Sequence, residues 1–162
     1  MTEATEILSM ILSDQWDDEI TKVVGEIVIA FGQLEHVLWV AGKRSRKLSM
    51  QEWAELREGG RTVPEKCRYL REEFTRQQMD DTLRSDLHQT LDKIVNLAET
   101  RNRIVHGRWG VKKLDGKIIS KHRIWQNRDA GVDVAKMIAL RNGIRDARDR
   151  LNRLTRGLMD NR

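Results

Sequence analysis

Met137, Leu140, Ile144, Ala147, Leu151, Leu154 and Leu158 follow one another at alternating steps of three and four residues. A strand repeats every two residues and cannot carry that spacing, whereas a helix lays the whole series along one seam. The pattern predicts a helix from about Asp133 to Leu158 that packs within a bundle or against a second copy of the chain. Arg141, Arg145, Arg148, Arg150, Arg153 and Arg156 ride its flanks and read as a solvated face, or as part of a basic track if other basic segments share their side.

Helical spacing recurs upstream. Ile7, Leu8, Ile11 and Leu12 predict a short leading helix, after which Asp14 can cap a long helix from about Gln15 to Gly42. Ile20, Val23, Val24, Ile27, Phe31, Leu34 and Leu38 form the main stripe of that helix. Val28, Ile29, Trp39 and Val40 carry apolar character around it, which predicts burial on two sides. Gly25 and Gly32 lie close together on its back face and would let another helix approach, as in a homodimer. Ser49 to Glu52 and Thr62 to Glu65 both fit the capping box, with Pro64 in the first turn of the second of these helices. Cys67, Leu70 and Phe74 then face inward, and Asp80 or Asp81 opens another long helix that Gly107 ends. The fold class is mainly α, an up-and-down helical bundle.

From 108 to 125 the period changes. Arg-Trp-Gly-Val-Lys-Lys-Leu, then Asp115-Gly116, then Lys-Ile-Ile-Ser-Lys-His-Arg-Ile-Trp reads as a β-hairpin inserted before the last long helix. Arg108, Lys112, Lys113, Lys117, Lys121 and Arg123 stand there against the single acid Asp115, with Trp109 and Trp125 at the base. Such charges hold phosphates without reading sequence, and an exposed tryptophan stacks on an unpaired base for about 1 to 3 kcal/mol. The alternative is a solvated hairpin whose tryptophans enter the core.

The 162 residues, 34% charged and 39% hydrophobic, suit one soluble domain spanning 1–162. Cys67 is the only cysteine, so neither a disulfide framework nor a thiolate zinc cluster is expected, and a reducing cytoplasm is. The N-terminus lacks a basic leader pattern, and no membrane segment is expected. Residues 1–35 carry eight acids and one base, whereas residues 101–162 carry seventeen bases and six acids. Either the two ends neutralise one another in the fold or the basic surface meets a polyanion.

Arg101-Asn102-Arg103-Ile104-Val105-His106-Gly107 closes the helix that begins near Asp80. Leu83, Leu87, Ile94, Leu97 and Val105 share one stripe, and Arg101 falls at its centre. Arginine keeps its charge, so it must pair with an acid, reach across a subunit interface or await an anionic ligand. Glu35 borders the main stripe of the long helix near the N-terminus, and the two groups are expected to be neighbours. The plain reading of His106-Gly107 is a common helix ending.

This segment resembles the HEPN superfamily of small helical-bundle proteins, whose signature is Arg, four to six residues, then His, often with a polar residue after the Arg. Here Arg101 to His106 fits it, with Asn102 in the polar place. The resemblance implies a HEPN-like bundle over the whole chain and a metal-independent ribonuclease with a composite site across a dimer. It also implies a toxin, defence or stress role, with a possible antitoxin or regulatory protein as partner. On that reading Arg101 and His106 are catalytic, Asn102 orients His106 or holds the phosphate, and Glu35 supports them. RNA and a second copy are the other partners.

The chemistry follows from RNA itself. Its 2′-hydroxyl attacks the adjacent phosphate once a base removes the proton and an acid protonates the leaving 5′-oxygen. Histidine takes either role near neutral pH, and a fixed arginine neutralises charge on the phosphorane. One histidine cannot easily be base and acid in the same step, and positions five apart on a helix diverge by about 140°. A site shared by two chains, or an unwound helix end, answers both points. His36, His88 and His122 form no metal-ligand spacing, and no cofactor motif occurs. The second functional class is a non-catalytic helical module that binds nucleic acid or a partner protein.

Overall fold

Four long helices form a mainly helical bundle in the computed structural model, which describes residues 7–9, 18–45, 51–52, 62–114, 117–125, 128–131 and 133–160. They are α1 (Asp18–Ser45), α2 (Val63–Arg76), α3 (Asp81–Val105) and α4 (Val134–Asp160). The backbone of four short segments, β1 (Ile7–Ser9), β2 (Arg108–Leu114), β3 (Lys117–Trp125) and β4 (Arg128–Gly131), pairs antiparallel in that order. Ile7 and Leu8, expected in a leading helix, pair with β2 instead. A short apolar run fits either period, and its partners decide. The Asp115-Gly116 turn, Asp14, and most of the helix expected after Ser49 lie outside the described residues.

The capping chemistry is local and legible. Glu65 N–H donates to Thr62 Oγ1, 3.5 Å, and Thr62 N–H donates to Glu65 Oε2, 2.7 Å, so two donors that a helix start leaves unpaired are satisfied. Asp80 Oδ2 accepts from Leu83 N–H at 3.0 Å and Asp133 Oδ1 from Lys136 N–H at 3.1 Å. Both are N-caps of the kind acidic side chains favour.

The core joins Ile27, Leu34 and Leu38 of α1 with Leu70 and Phe74 of α2, Leu87, Leu91 and Ile94 of α3, and Ile144 and Leu151 of α4. The α4 seam holds from Met137 through Leu151. Beyond that the fully buried position is Thr155 while Leu154 is only half-buried, because a straight helix drifts about 20° per heptad from a 3.5-residue repeat. Thr155 is satisfied there: its hydroxyl donates to Leu151 O at 2.9 Å and accepts from Arg44 at 3.0 Å.

Half of the six flanking arginines on α4 are not simply solvated. Arg141 pairs with Glu26 and Arg148 donates to Gln33, both on α1, while Arg150 reaches Asp86 of α3 at 2.8 Å. Arg44 of α1 returns the link by donating to Asn152 Oδ1 at 2.8 Å. One acid of the N-terminal segment, Glu26, thus does meet a base of the C-terminal segment, Arg141.

Of the second apolar side expected for α1, the described residues leave Val28 and Ile29 40% and 64% exposed, whereas Trp39 and Val40 are half-buried. Contrary to the expectation of no membrane-length segment, α1 is long and apolar enough to cross a bilayer, with an 18-residue window of mean hydropathy 1.5 of which 33% is buried in the bundle. A core helix has the same composition.

Candidate functional site

The site is assembled at the C-terminal end of α3. Leu87, Leu91, Ile94 and Ala98 bury one stripe, and Arg101 continues it by a further turn, where the bundle opens to solvent. The helix ends at Val105, and His106 is its C-cap with φ −103° and ψ 0°. The His106 N–H still donates to Asn102 O at 3.0 Å, which holds the cap against the last turn. Gly107 follows in the place where glycine commonly ends helices.

Leaving the helix at residue 106 alters the geometry that the spacing predicts. The imidazole is exposed, and its Nε2 lies 3.5 Å from Arg101 Nη1. The same Nη1 donates to Asn102 Oδ1 at 3.0 Å. Arg101, Asn102 and His106 therefore converge within one chain. The diverging side chains of a straight helix are brought together by its end.

Arg101 meets α1 through an aromatic ring. Its guanidinium carbon lies 4.9 Å from the centroid of the Phe31 ring, within cation–π range. The Nε atom is buried and has no hydrogen-bond partner. Glu35, the expected neighbour, faces α2: Lys66 Nζ reaches its Oε1 at 3.4 Å, and the side chain is 41% exposed. Glu35 lies one turn past Phe31 on the edge of the stripe, so Phe31 faces Arg101 while Glu35 turns toward Lys66. Among the described residues, Arg101 has no carboxylate partner.

An arginine half-buried at a helix end, with one nitrogen held by an amide oxygen, laid on a ring and uncompensated by an acid, is a fixed positive group open to an anion. His106 adds an exposed group able to exchange protons beside it. No family model, curated protein or solved structure matches this chain.

His36 and His88 lie elsewhere. His88 Nε2 is 3.5 Å from Thr75 Oγ1, and His36 lies against Trp39 with ring centroids 5.6 Å apart. Among the described residues, no three His, Cys, Asp or Glu side chains gather as a metal ion would need. Arg108, Lys112, Lys113, Lys121 and Arg123 fall on the β2 and β3 backbone, and β2 begins two residues after His106, so that strand leaves directly from the site. The placement of their side chains lies outside the described residues. Phe31 is the participant that sequence reasoning missed. In the sequence it stands only as a stripe residue of α1, with no charge to mark it as a partner of Arg101.

Proposed function

We propose that this protein is a metal-independent endoribonuclease of HEPN type, with Arg101 and His106 as its catalytic pair. The observation that carries the reading is the convergence of the guanidinium, the Asn102 amide and the imidazole at one helix end, with no acid among the described residues to neutralise the arginine. An RNA phosphate is the anion that fits. Arg101 faces the equatorial oxygens as the phosphorane forms, where fixed donors act on developing charge. His106 exchanges a proton with either the attacking 2′-oxygen or the leaving 5′-oxygen. Asn102 keeps the guanidinium in place.

The bond between the 2′-oxygen and phosphorus forms as the bond from phosphorus to the 5′-oxygen breaks. The products are a 2′,3′-cyclic phosphate and a 5′-hydroxyl. One proton leaves the 2′-hydroxyl and one joins the 5′-oxygen, so two proton carriers act. A second copy of the chain supplies the second imidazole. The hairpin reading of 108–125 supplies the backbone grip: Arg108, Lys112, Lys113, Lys121 and Arg123 follow the site directly and contact phosphates on either side of the scissile bond. A toxin, defence or stress role in the cytoplasm, restrained by an antitoxin or regulatory protein, fits such an activity.

The test is incubation with single-stranded and structured RNA in EDTA, comparing the native chain with His106→Ala and Arg101→Ala. Cleavage that survives chelation, leaves 2′,3′-cyclic phosphate ends and disappears in both variants is the expected outcome. Unchanged turnover in His106→Ala would falsify the assignment. Salt-sensitive RNA binding with no cleavage would favour a non-catalytic binding module instead.

A further inference from the structure

We propose that the seam between α1 and α4 is a nucleic-acid contact apart from the Arg101–His106 site, where a line of guanidiniums takes the phosphate backbone of an RNA strand. Arg141, Arg145, Arg148, Asn152 and Arg156 follow one another on α4 at steps of four, three, four and four residues, so one stripe of the helix carries them all. Three interhelical bonds turn that stripe to α1: Arg141 to Glu26, Arg148 to Gln33 and Arg44 to Asn152. Arg44 enters the line from α1 at the level of Asn152, where the α4 stripe itself has no base. A guanidinium thus stands at each turn from Arg141 to Arg156, over about 22 Å.

Acids do not match these bases. Among the described residues, the carboxylates on this stretch are Glu26, bonded to Arg141 and also in the fields of Lys22 and Arg145, and Asp149, bonded to Arg148 at 2.8 Å. Arg44, Arg145 and Arg156 have no carboxylate partner there. Arg44 is held instead by neutral groups, Asn152 Oδ1 at 2.8 Å and Thr155 Oγ1 at 3.0 Å, which fix its direction and leave its charge uncompensated. Burial, and after it the charge of Arg156, hold the Arg44 guanidinium below the usual arginine range. The fold presses one arginine toward another, and an anion laid across both relieves the repulsion. The row is arginine throughout, whose planar fork takes phosphate oxygens two at a time. Its linear form suits a chain of phosphates rather than the plane of a membrane. At about 100° per residue, Gln33 lies about 160° around α1 from Phe31, so the seam is turned away from Arg101 and adds grip without chemistry.

The choice of RNA rests on the nuclease reading, whereas the line of charge does not. The test is fluorescence anisotropy of a labelled 2′-O-methyl RNA strand, which 2′-hydroxyl attack cannot cleave, over a range of salt concentrations with the full chain. Arg145 and Arg156 are exposed, so Arg145→Gln with Arg156→Gln leaves the circular dichroism spectrum unchanged. That double variant is expected to bind about tenfold or more weakly near 0.1 M salt, and to lower the slope of log affinity against log salt by about 1.4, two phosphates at about 0.7 each. Arg68→Gln with Lys93→Gln removes two exposed bases of α2 and α3 that lie off the seam, and moves neither value. A native chain that does not bind, a slope unchanged in the seam variant, or an equal loss in the Arg68 and Lys93 pair would each overturn the inference. Displacement of the RNA by polyglutamate at equal charge would do the same and point to an acidic protein. Cleavage of unmodified RNA by a chain whose binding ignores the seam would leave the nuclease reading alone standing. Seam-dependent binding by a chain that cleaves nothing would leave only the contact.

Discussion

Replacing Arg101 by leucine separates the demands of folding from those of chemistry at one position. Arg101 Nε is a buried donor without a partner, a condition that costs about 1 to 3 kcal/mol. Leucine removes that cost, has similar helix propensity, and lays methyl groups on the Phe31 ring that the guanidinium now covers. Against this stands the lost cation–π contact, about 0.5 to 1 kcal/mol at a site this open. The hydrogen bond to Asn102 is also lost, but Asn102 is only half-buried and its oxygen returns to water, at about 0.5 kcal/mol. The balance favours leucine by about 1 kcal/mol. For a chain of this size, that raises Tm by roughly 2 to 4 °C.

The assay is a thermal melt of Arg101→Leu and the native chain, with RNA cleavage measured on the same samples. A higher Tm with abolished cleavage is expected, because a residue kept for chemistry is kept at some expense of stability. A Tm lowered by several degrees would refute the reasoning and make Arg101 a structural residue. Arg101→Lys serves as the companion: it retains charge, loses the planar fork, and is expected to cleave far more slowly than the native chain.

Two further measurements address other parts of the fold. Burial pushes the Cys67 thiol up to about 12, so it stays protonated and unreactive to iodoacetamide at pH 8 until the bundle unfolds; rapid labelling with native circular dichroism would contradict its place in the core. The sign for stability is that of a raised acid: the contribution is complete below the thiol's unfolded pKa and declines as pH rises from there toward 12, a slope that Cys67→Ala removes from pH-dependent melts. Glu26 is held below the usual carboxylate range, chiefly by the Arg141 hydrogen bond and despite an opposing burial effect. Its contribution is therefore present above the ordinary carboxylate pKa and lost as pH falls through the depressed value. Glu26→Gln is expected to show a shallower loss of stability between pH 5 and 3 than the native chain; equal slopes would show that the α1–α4 link is not held by this charge.

The parts of the fold that sequence made legible are those set by local physics. The α4 seam from Met137 to Leu151, the Thr62–Glu65 capping box and the inward set Cys67, Leu70 and Phe74 depend on helical period and end chemistry. What the chain alone did not reveal depends on tertiary partners. Ile7 and Leu8 fit helix or strand until β2 is beside them. The flanking arginines of α4 look alike until Glu26, Gln33 and Asp86 choose among them. Asn102 and His106 beside Arg101 could be read from the motif, but the bed of Phe31 could not, because a ring partner carries no complementary charge to search for.

The α1–α4 links have a consequence in time. Glu26 with Arg141 and Gln33 with Arg148 are each 115 residues apart, and Arg44 lies 108 residues from Asn152. A ribosome releases α1 well before α4, so the part of the α1 face that α4 covers waits until more than a hundred residues have followed it. Phe31, the platform beneath Arg101, belongs to that waiting helix. Its seat for Arg101 needs only α3 beside it, whereas the α1–α4 face closes only once α4 has followed. A nascent chain built this way is exposed to chaperones until α4 arrives.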